Sequence, residues 1–317
     1  MNIRIIKNVI LILKEGEKMK IVFMGTPEFA VPILEALAQK YDVSLVVCQA
    51  DPKPGKFPAV KKKAIELGIK VFQPLKIKDD YEEILAAGAD VLITAAYGQF
   101  VPTKILNQFK KCINVHGSLL PKRRGGAPIQ RAIMDGDLKT GVTLIEMVKK
   151  MDAGVMYAKE ELTISNEDTA DDLFSKLSIL GRNLLMANIE DIVSGKNLGI
   201  PQDEALATIS PNLTKEEEKI DFNKSAFLVV RQIHGLSSNP GGYIMVKNNI
   251  IKLYKAKIAP DFKGKPGEVV SINKHLVIMA LDYGVEILTL KPAGKKIMPA
   301  SSYLNGQRLL QIGDVLV

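Results

Sequence analysis

The chain is 317 residues long, 47% hydrophobic and 25% charged, which excludes a wholly disordered chain and fits about two domains. Lys and Arg total 43 against 35 Asp and Glu, a formal charge of +8 with a pI near 9.2, so the balance favours a polyanionic partner. Two cysteines and three histidines are too few for a disulfide framework or a Cys-rich zinc site, and a reducing compartment is the simplest setting.

No apolar run reaches the roughly 18 residues that span a bilayer. Val9–Leu13 follows Arg4 and Lys7, but it is short, lacks a small-residue cleavage pattern and continues into Lys14-Glu15-Gly16-Glu17-Lys18. Codons for that last stretch can spell a ribosome-binding sequence ahead of Met19. Residues 1–18 are therefore expected to be a non-native extension, which an intact mass beginning at Met1 would contradict. From Met19, apolar runs at 20–24, 42–48 and 90–96 alternate with helix-period stretches at 28–40, 59–67 and 80–87, the pattern of a mostly parallel, doubly wound sheet. Gly25 ends the first run, but Thr26-Pro27-Glu28-Phe29 lacks the further glycines of a dinucleotide fingerprint, which disfavours a nicotinamide cofactor.

The segment 113–133 reads INVHGSLLPKRRGGAPIQRAI. Asn114 and His116 lie two apart at a strand end, so their side chains share one side of the sheet. An amide beside an imidazole suits a carbonyl that becomes an oxyanion. A capped strand terminus with an ordinary histidine is the plainer reading of the triplet alone. The long loop that follows, with Lys122, Arg123 and Arg124 before Gly125-Gly126, has little to bury, and such loops bind more often than they merely connect. Met151-Asp152-Ala153-Gly154, between strand-like runs at 141–147 and 155–163, is by itself a generic turn.

A helix is expected after Thr169 to about Val193, with Asp171 and Asp172 near its N-terminus. Prolines, glycines and weak periodicity place a linker at 196–210. Beyond it a short helix near 224–236 precedes strands at 242–247, 250–258, 267–272, 275–281 and 284–290, which suggests a small barrel. Residues 210–317 hold 15 Lys and Arg against 9 Asp and Glu, so most of the excess charge lies there. It fits either a solvated surface or a docking face for nucleic acid.

From Met19 onward the chain resembles the methionyl-tRNA formyltransferase family. The resemblance is carried by MKIVFMGTPEFAVPILEAL, INVHGSLLPKRRGGAPIQRAI, the MDAG loop and, in the last third, LTKEEEKIDFNKSA, NPGGY and LKPAGKKIMPASSYLNG. It implies an α/β fold with a Rossmann-like doubly wound N-terminal domain at 19–195, the linker at 196–210 and a small OB-like β-barrel at 211–317 that binds tRNA. It implies a cytoplasmic enzyme that moves a formyl group from 10-formyltetrahydrofolate to the amino group of methionyl-initiator-tRNA. Asn114, His116 and Asp152 carry over as catalytic residues: the Asn and His surround the formyl carbon, and the Asp pairs with the His. The folate contacts fall on Ser118, Leu119, Leu120 and Pro121, joined by backbone from Ala95-Ala96-Tyr97-Gly98. No membrane and no metal are expected, since neither a His-x-x-x-His nor a Cys-x-x-Cys spacing is present, and a monomer is expected.

The chain departs from the family at 49–58, QADPKPGKFP, which is shorter than usual and lacks an arginine. Lys53, Lys56 and Lys61–Lys63 keep charge there without arginine's planar fork. Ser238-Asn239-Pro240-Gly241 replaces the usual Trp-Pro-Gly. Lys247, Lys252, Lys255, Lys257, Lys295 and Lys296 are the barrel's candidates for phosphate contact. The rival readings are a formyltransferase acting on a small amine, which needs no basic barrel, and a non-catalytic RNA-binding protein, against which Asn114, His116 and Asp152 argue.

Overall fold

The computed structural model describes residues 18–306 and 309–316. The expected extension at 1–18 lies outside the described residues except for Lys18. The chain runs β1 (Lys20–Gly25), α1 (Val31–Lys40), β2 (Asp42–Val47), α2 (Ala59–Glu66), β3 (Val71–Phe72), α3 (Glu82–Ala86), β4 (Val91–Ala95), α4 (Thr103–Leu106) and β5 (Lys111–His116). It continues through α5 (Pro128–Met134), β6 (Lys139–Glu146), β7 (Met156–Thr163), α6 (Ala170–Val193) and α7 (Ala226–Leu236). The remainder is β8 (Gly242–Val246), β9 (Asn249–Ala259), β10 (Val269–Ser271), β11 (Leu276–Met279), β12 (Gly284–Pro292), β13 (Met298–Pro299) and α8 (Ala300–Leu304). Two compact units result. One holds the described residues up to Gly126 with Gly141–Leu162 and Phe174–Ser210; the other holds Ala127–Thr140, Thr163–Leu173 and the described residues from Pro211.

The first unit is built on a sheet of order β3-β2-β1-β4-β5-β6-β7, parallel from β3 to β5, with β6 antiparallel to β5. Strand order reverses beside β1, the Rossmann-like arrangement that places binding residues at the carboxyl ends of the strands. β4 is buried along its whole length, which explains its unbroken apolar run. The stretch expected to be one helix at 28–40 starts as a 3-10 turn at Glu28–Ala30 before α1. Pro32 has no N–H to donate back to Glu28, so regular helix begins only at Val31. α1 buries Ile33, Leu34 and Leu37 completely, roughly 1.5–3 kcal/mol each.

In the second unit, β8–β13 form a curled antiparallel sheet, a half-barrel of order β10-β11-β12-β9-β8 with β13 beside β12. The two-residue turn Lys247-Asn248 joins β8 to β9 with φ of 47° and 64°, the conformation that matches hairpin twist. Its inner face packs Ile244, Ile251, Leu253, Val285, Ile287 and Leu290 against α7 residues such as Val229 and Ile233. α5 packs on α7 where Gly235 lets the helices close: a Cβ there would sit 2.5 Å from Met134 Cγ and 2.9 Å from the Gln130 carbonyl. Arg131 fixes α5 further by a bidentate pair with Glu217 at 2.9 and 3.0 Å. At the start of α6, Thr169 and Asp172 cap each other: the Thr169 N–H reaches Asp172 at 2.9 Å, and the Asp172 N–H returns to Thr169 Oγ1 at 3.3 Å.

Residues 196–210 are bonded along the first unit. Ile200 exchanges backbone hydrogen bonds with Met156, both at 2.9 Å, and the Arg124 N–H donates to the Thr208 carbonyl at 2.9 Å. No helix among the described residues is long and apolar enough to cross a membrane.

Candidate active site

β4 and β5 run parallel with Thr94 opposite Asn114. The Thr94 hydroxyl donates to Asn114 Oδ1 at 2.9 Å, which fixes the amide with Nδ2 directed away from Thr94. Nδ2 lies 3.5 Å from Asp152 Oδ1, a long contact that leaves its donor capacity largely uncommitted. Two residues on, His116 occupies the last position of β5 and is 6% exposed. Its Nε2 is 3.0 Å from the Arg123 carbonyl, and its Nδ1 is 3.7 Å from Asp152 Oδ2.

Asp152 arrives from the turn between β6 and β7 with φ 51°, in the left-handed region. Its Oδ2 accepts the Gly125 N–H at 2.8 Å. Gly125 itself has φ +119°, and a Cβ on it would meet the Ser210 carbonyl oxygen at 2.5 Å, so both its conformation and its surroundings require glycine. The loop after β5 is braced from within. Ser118 Oγ donates to the Lys122 carbonyl at 2.8 Å, while the fully buried Thr143 donates to the Ser118 carbonyl at 2.7 Å and accepts from Leu120 N–H at 3.1 Å.

These contacts fix the chemistry available. A carbonyl only accepts, so Nε2 of His116 carries the hydrogen it donates to Arg123. The neutral ring then presents its Nδ1 lone pair toward Asp152. A proton taken at Nδ1 produces an imidazolium 3.7 Å from a carboxylate oxygen of Asp152. Beside it, Asn114 Nδ2 is a donor of fixed direction. A proton acceptor backed by a carboxylate, next to an amide donor, is suited to nucleophilic attack on a carbonyl carbon.

Residues 19–189 match the family "Formyl transferase" and residues 212–308 match "Formyl transferase, C-terminal domain". The methionyl-tRNA formyltransferase of Pediococcus pentosaceus is 46% identical over 299 residues, covering 90% of this chain and 93% of that protein. The chain belongs to the methionyl-tRNA formyltransferase family. The family member from Staphylococcus epidermidis is 42% identical over 308 residues, covering 94% of this chain and 99% of its own. Among solved structures, the sugar 3N-formyl transferase WlaRD, crystallised in the presence of dTDP and 5-N-formyl-THF, shares the fold. Its TM-score is 0.68 at 20% identity, over 89% of this chain and 100% of that one.

In this formyltransferase, Asn114, His116 and Asp152 converge from positions up to 38 residues apart. Of the stretch the resemblance assigns to folate, Ser118 and Leu120 are buried, whereas Leu119 and Pro121 are partly exposed. Arg124, which lies in the loop expected from sequence to bind, is 2% exposed and held by Gln202 and Glu204. Hydrogen bonds from Arg124 and Lys150 hold the Glu204 carboxyl down to about 2. In the short 49–63 segment, Lys61 pairs with Asp51 at 2.7 Å and Lys63 with Glu35 at 2.8 Å. In the barrel, Lys257 pairs with Glu286 at 3.0 Å and Lys252 donates to the Pro240 carbonyl. Sequence reasoning missed Thr94, Thr143 and Gln202. Thr94 and Thr143 each lie inside an apolar run, so both read as ordinary strand positions; Gln202 lies in a stretch without periodicity.

Proposed function

We infer that this formyltransferase moves the formyl group of 10-formyltetrahydrofolate to the free amino group of methionyl-initiator-tRNA, the step that prepares the initiator for translation. The observation that carries the inference is similarity along both domains, at 42–46% identity, to proteins of that name. In the proposed mechanism, Asn114 Nδ2 donates to the carbonyl oxygen of the formyl group and follows it into the tetrahedral oxyanion. A free α-amino group titrates at about 7.7–8.0, so part of it is already neutral near pH 7 and no strong base is needed. His116 Nδ1 collects the proton that the nitrogen sheds on attack. Asp152 stabilises the resulting imidazolium, and the same proton returns to the departing N10. Leu119 and Pro121 offer side-chain surface to the folate, while Ser118 and Leu120 keep the loop in shape.

The fit to the donor rests on chemistry present in the chain: an uncommitted amide donor and a carboxylate-backed imidazole suffice for an already electrophilic carbonyl. A substrate used by ribosomes supports a cytoplasmic setting, and a monomer is the proposed working form. Lys247, Lys255, Lys295 and Lys296, which have no acidic partner among the described residues, are assigned to tRNA phosphates.

The deciding experiment compares formyl transfer to charged initiator tRNA, charged elongator tRNA and small amines. Transfer to initiator tRNA, reduced at least a hundredfold in Asn114→Ala, His116→Ala and Asp152→Ala, is the expected outcome. Preference for a small amine, or near-parental turnover in folded His116→Ala, would overturn the reading.

A further inference from the structure

Gln202 uses every polar group of its amide. Its Nε2 donates to the Asp152 carbonyl at 2.7 Å and to the Gly154 carbonyl at 2.8 Å. Its Oε1 accepts from Arg124 Nε at 3.0 Å and Nη2 at 2.8 Å. The other edge of the Arg124 guanidinium meets both carboxylate oxygens of Glu204, at 3.1 and 2.8 Å. The backbone is gripped as well: the Ser210 N–H donates to the Arg124 carbonyl at 2.6 Å, and the Arg123 N–H donates to Thr208 Oγ1 at 2.9 Å.

The residues on either side of Arg124 are the ones that hold the acceptor and its counter-charge. Arg123 provides the carbonyl on His116 Nε2, and Gly125 provides the N–H on Asp152 Oδ2. Asp152 sits at φ 51°, where a residue other than glycine persists only if its surroundings hold it. Gln202 joins the Asp152 turn to the Arg124 loop beside the direct Gly125 N–H bond to Asp152, and Glu204 makes a further bridge by pairing with both Arg124 and Lys150.

We propose that Gln202 is a positioning residue for formyl transfer, fixing the Asp152 turn to the Arg124 loop so that the carboxylate stays directed at Nδ1 of His116. This rests on the roles proposed above for His116 and Asp152. Gln202 is too deeply committed to its own partners to touch substrate. Both of its donors go to the Asp152 turn, so the proposed effect runs through Asp152, and that dependence separates it from a clasp that merely secures the 196–210 segment.

The test uses the full-length protein with Gln202→Leu, which removes the amide at similar volume, and Gln202→Glu, which keeps an acceptor for Arg124 but loses both donors. A misplacement of about 1 Å costs about a hundredfold in rate. The expected result is a kcat at least tenfold lower in both folded variants, with KM for tRNA and for formyl donor within about twofold. In an Asp152→Ala background the same substitutions should lower kcat no further, because the group they position is gone. If Gln202→Leu does not fold, Gln202→Glu decides by the same criteria. A kcat within twofold of the parent, or a loss that multiplies undiminished on the Asp152→Ala background, would overturn the proposal. Near-parental turnover in Asp152→Ala itself would instead overturn the site assignment on which it rests.

Discussion

Replacing Gly125 by alanine tests how tightly the loop after β5 must be held. The new Cβ would lie 2.5 Å from the Ser210 carbonyl oxygen, and ordinary contact begins at 3.4 Å, so one of the two backbones must yield by about 0.9 Å. The Ser210 N–H bond to the Arg124 carbonyl at 2.6 Å ties the two backbones together on that side, so the clash is felt at Gly125 itself. A shift of that size is large enough to take the 2.8 Å Gly125 N–H contact to Asp152 beyond hydrogen-bonding range. The alanine also inherits φ +119°, which costs about 1–3 kcal/mol, and the lost bond to a carboxylate costs about 1.5–3 kcal/mol more. Gly125→Ala should therefore lose about 2.5–6 kcal/mol of stability in urea unfolding and about a hundredfold in single-turnover formyl transfer at saturating donor. A folded Gly125→Ala protein that transfers formyl at the parental rate would refute the claim that this amide holds the Asp152 carboxylate in place.

Other outcomes follow from particular contacts. Thr143→Val leaves Leu120 N–H and the Ser118 carbonyl without their 3.1 and 2.7 Å partner, so it should cost about 1–3 kcal/mol and raise KM for the formyl donor, read by urea midpoint and donor titration; an unchanged midpoint would show that the brace is idle. His234 is 1% exposed with Nδ1 unpartnered, and burial pushes its imidazole down to about 4, opposed by the hydrogen bond to the Ala256 backbone and by Asp172 and reinforced by Lys255 and Arg231. The unfolded chain binds that proton near pH 6.5, so stability is complete above pH 6.5 and lost as pH falls toward 4, by about 3 kcal/mol in all. His234→Gln should flatten that acid limb in urea midpoints, and an equally steep limb would assign it elsewhere. Binding of tRNA should weaken with salt, and Lys255→Ala should reduce the log–log slope by about 1, whereas Lys257→Ala, whose ammonium already faces Glu286 at 3.0 Å, should change it less; equal changes would place both lysines alike at the tRNA.

How much of this was legible in the sequence follows from how local each signal is. The parallel sheet was readable because β1, β2 and β4 are buried strands whose apolar runs stand out against intervening helices. Asn114 and His116 were readable because the period of a strand is two, and nothing beyond three residues is needed to put them on one side. Asp152 was not readable on those terms: Asp-x-Gly is a turn anywhere, and only resemblance to a family singled it out. The expected helix at 80–87 shortens to α3: it begins only at Glu82 and gives way after Ala86 to Gly88, whose φ of 63° is a helix-ending conformation. The hydrogen bonds of Gln202 span 50 residues to Asp152 and 78 to Arg124, so no window along the chain contains both ends. Charge behaves the same way. Arg124 and Lys122 count equally in a sum, yet one is buried in a closed set of hydrogen bonds and the other is exposed. A count of basic residues therefore bounds what a surface can neutralise from above, and the folded pairing of Lys61, Lys63 and Lys257 lowers that bound before any tRNA arrives.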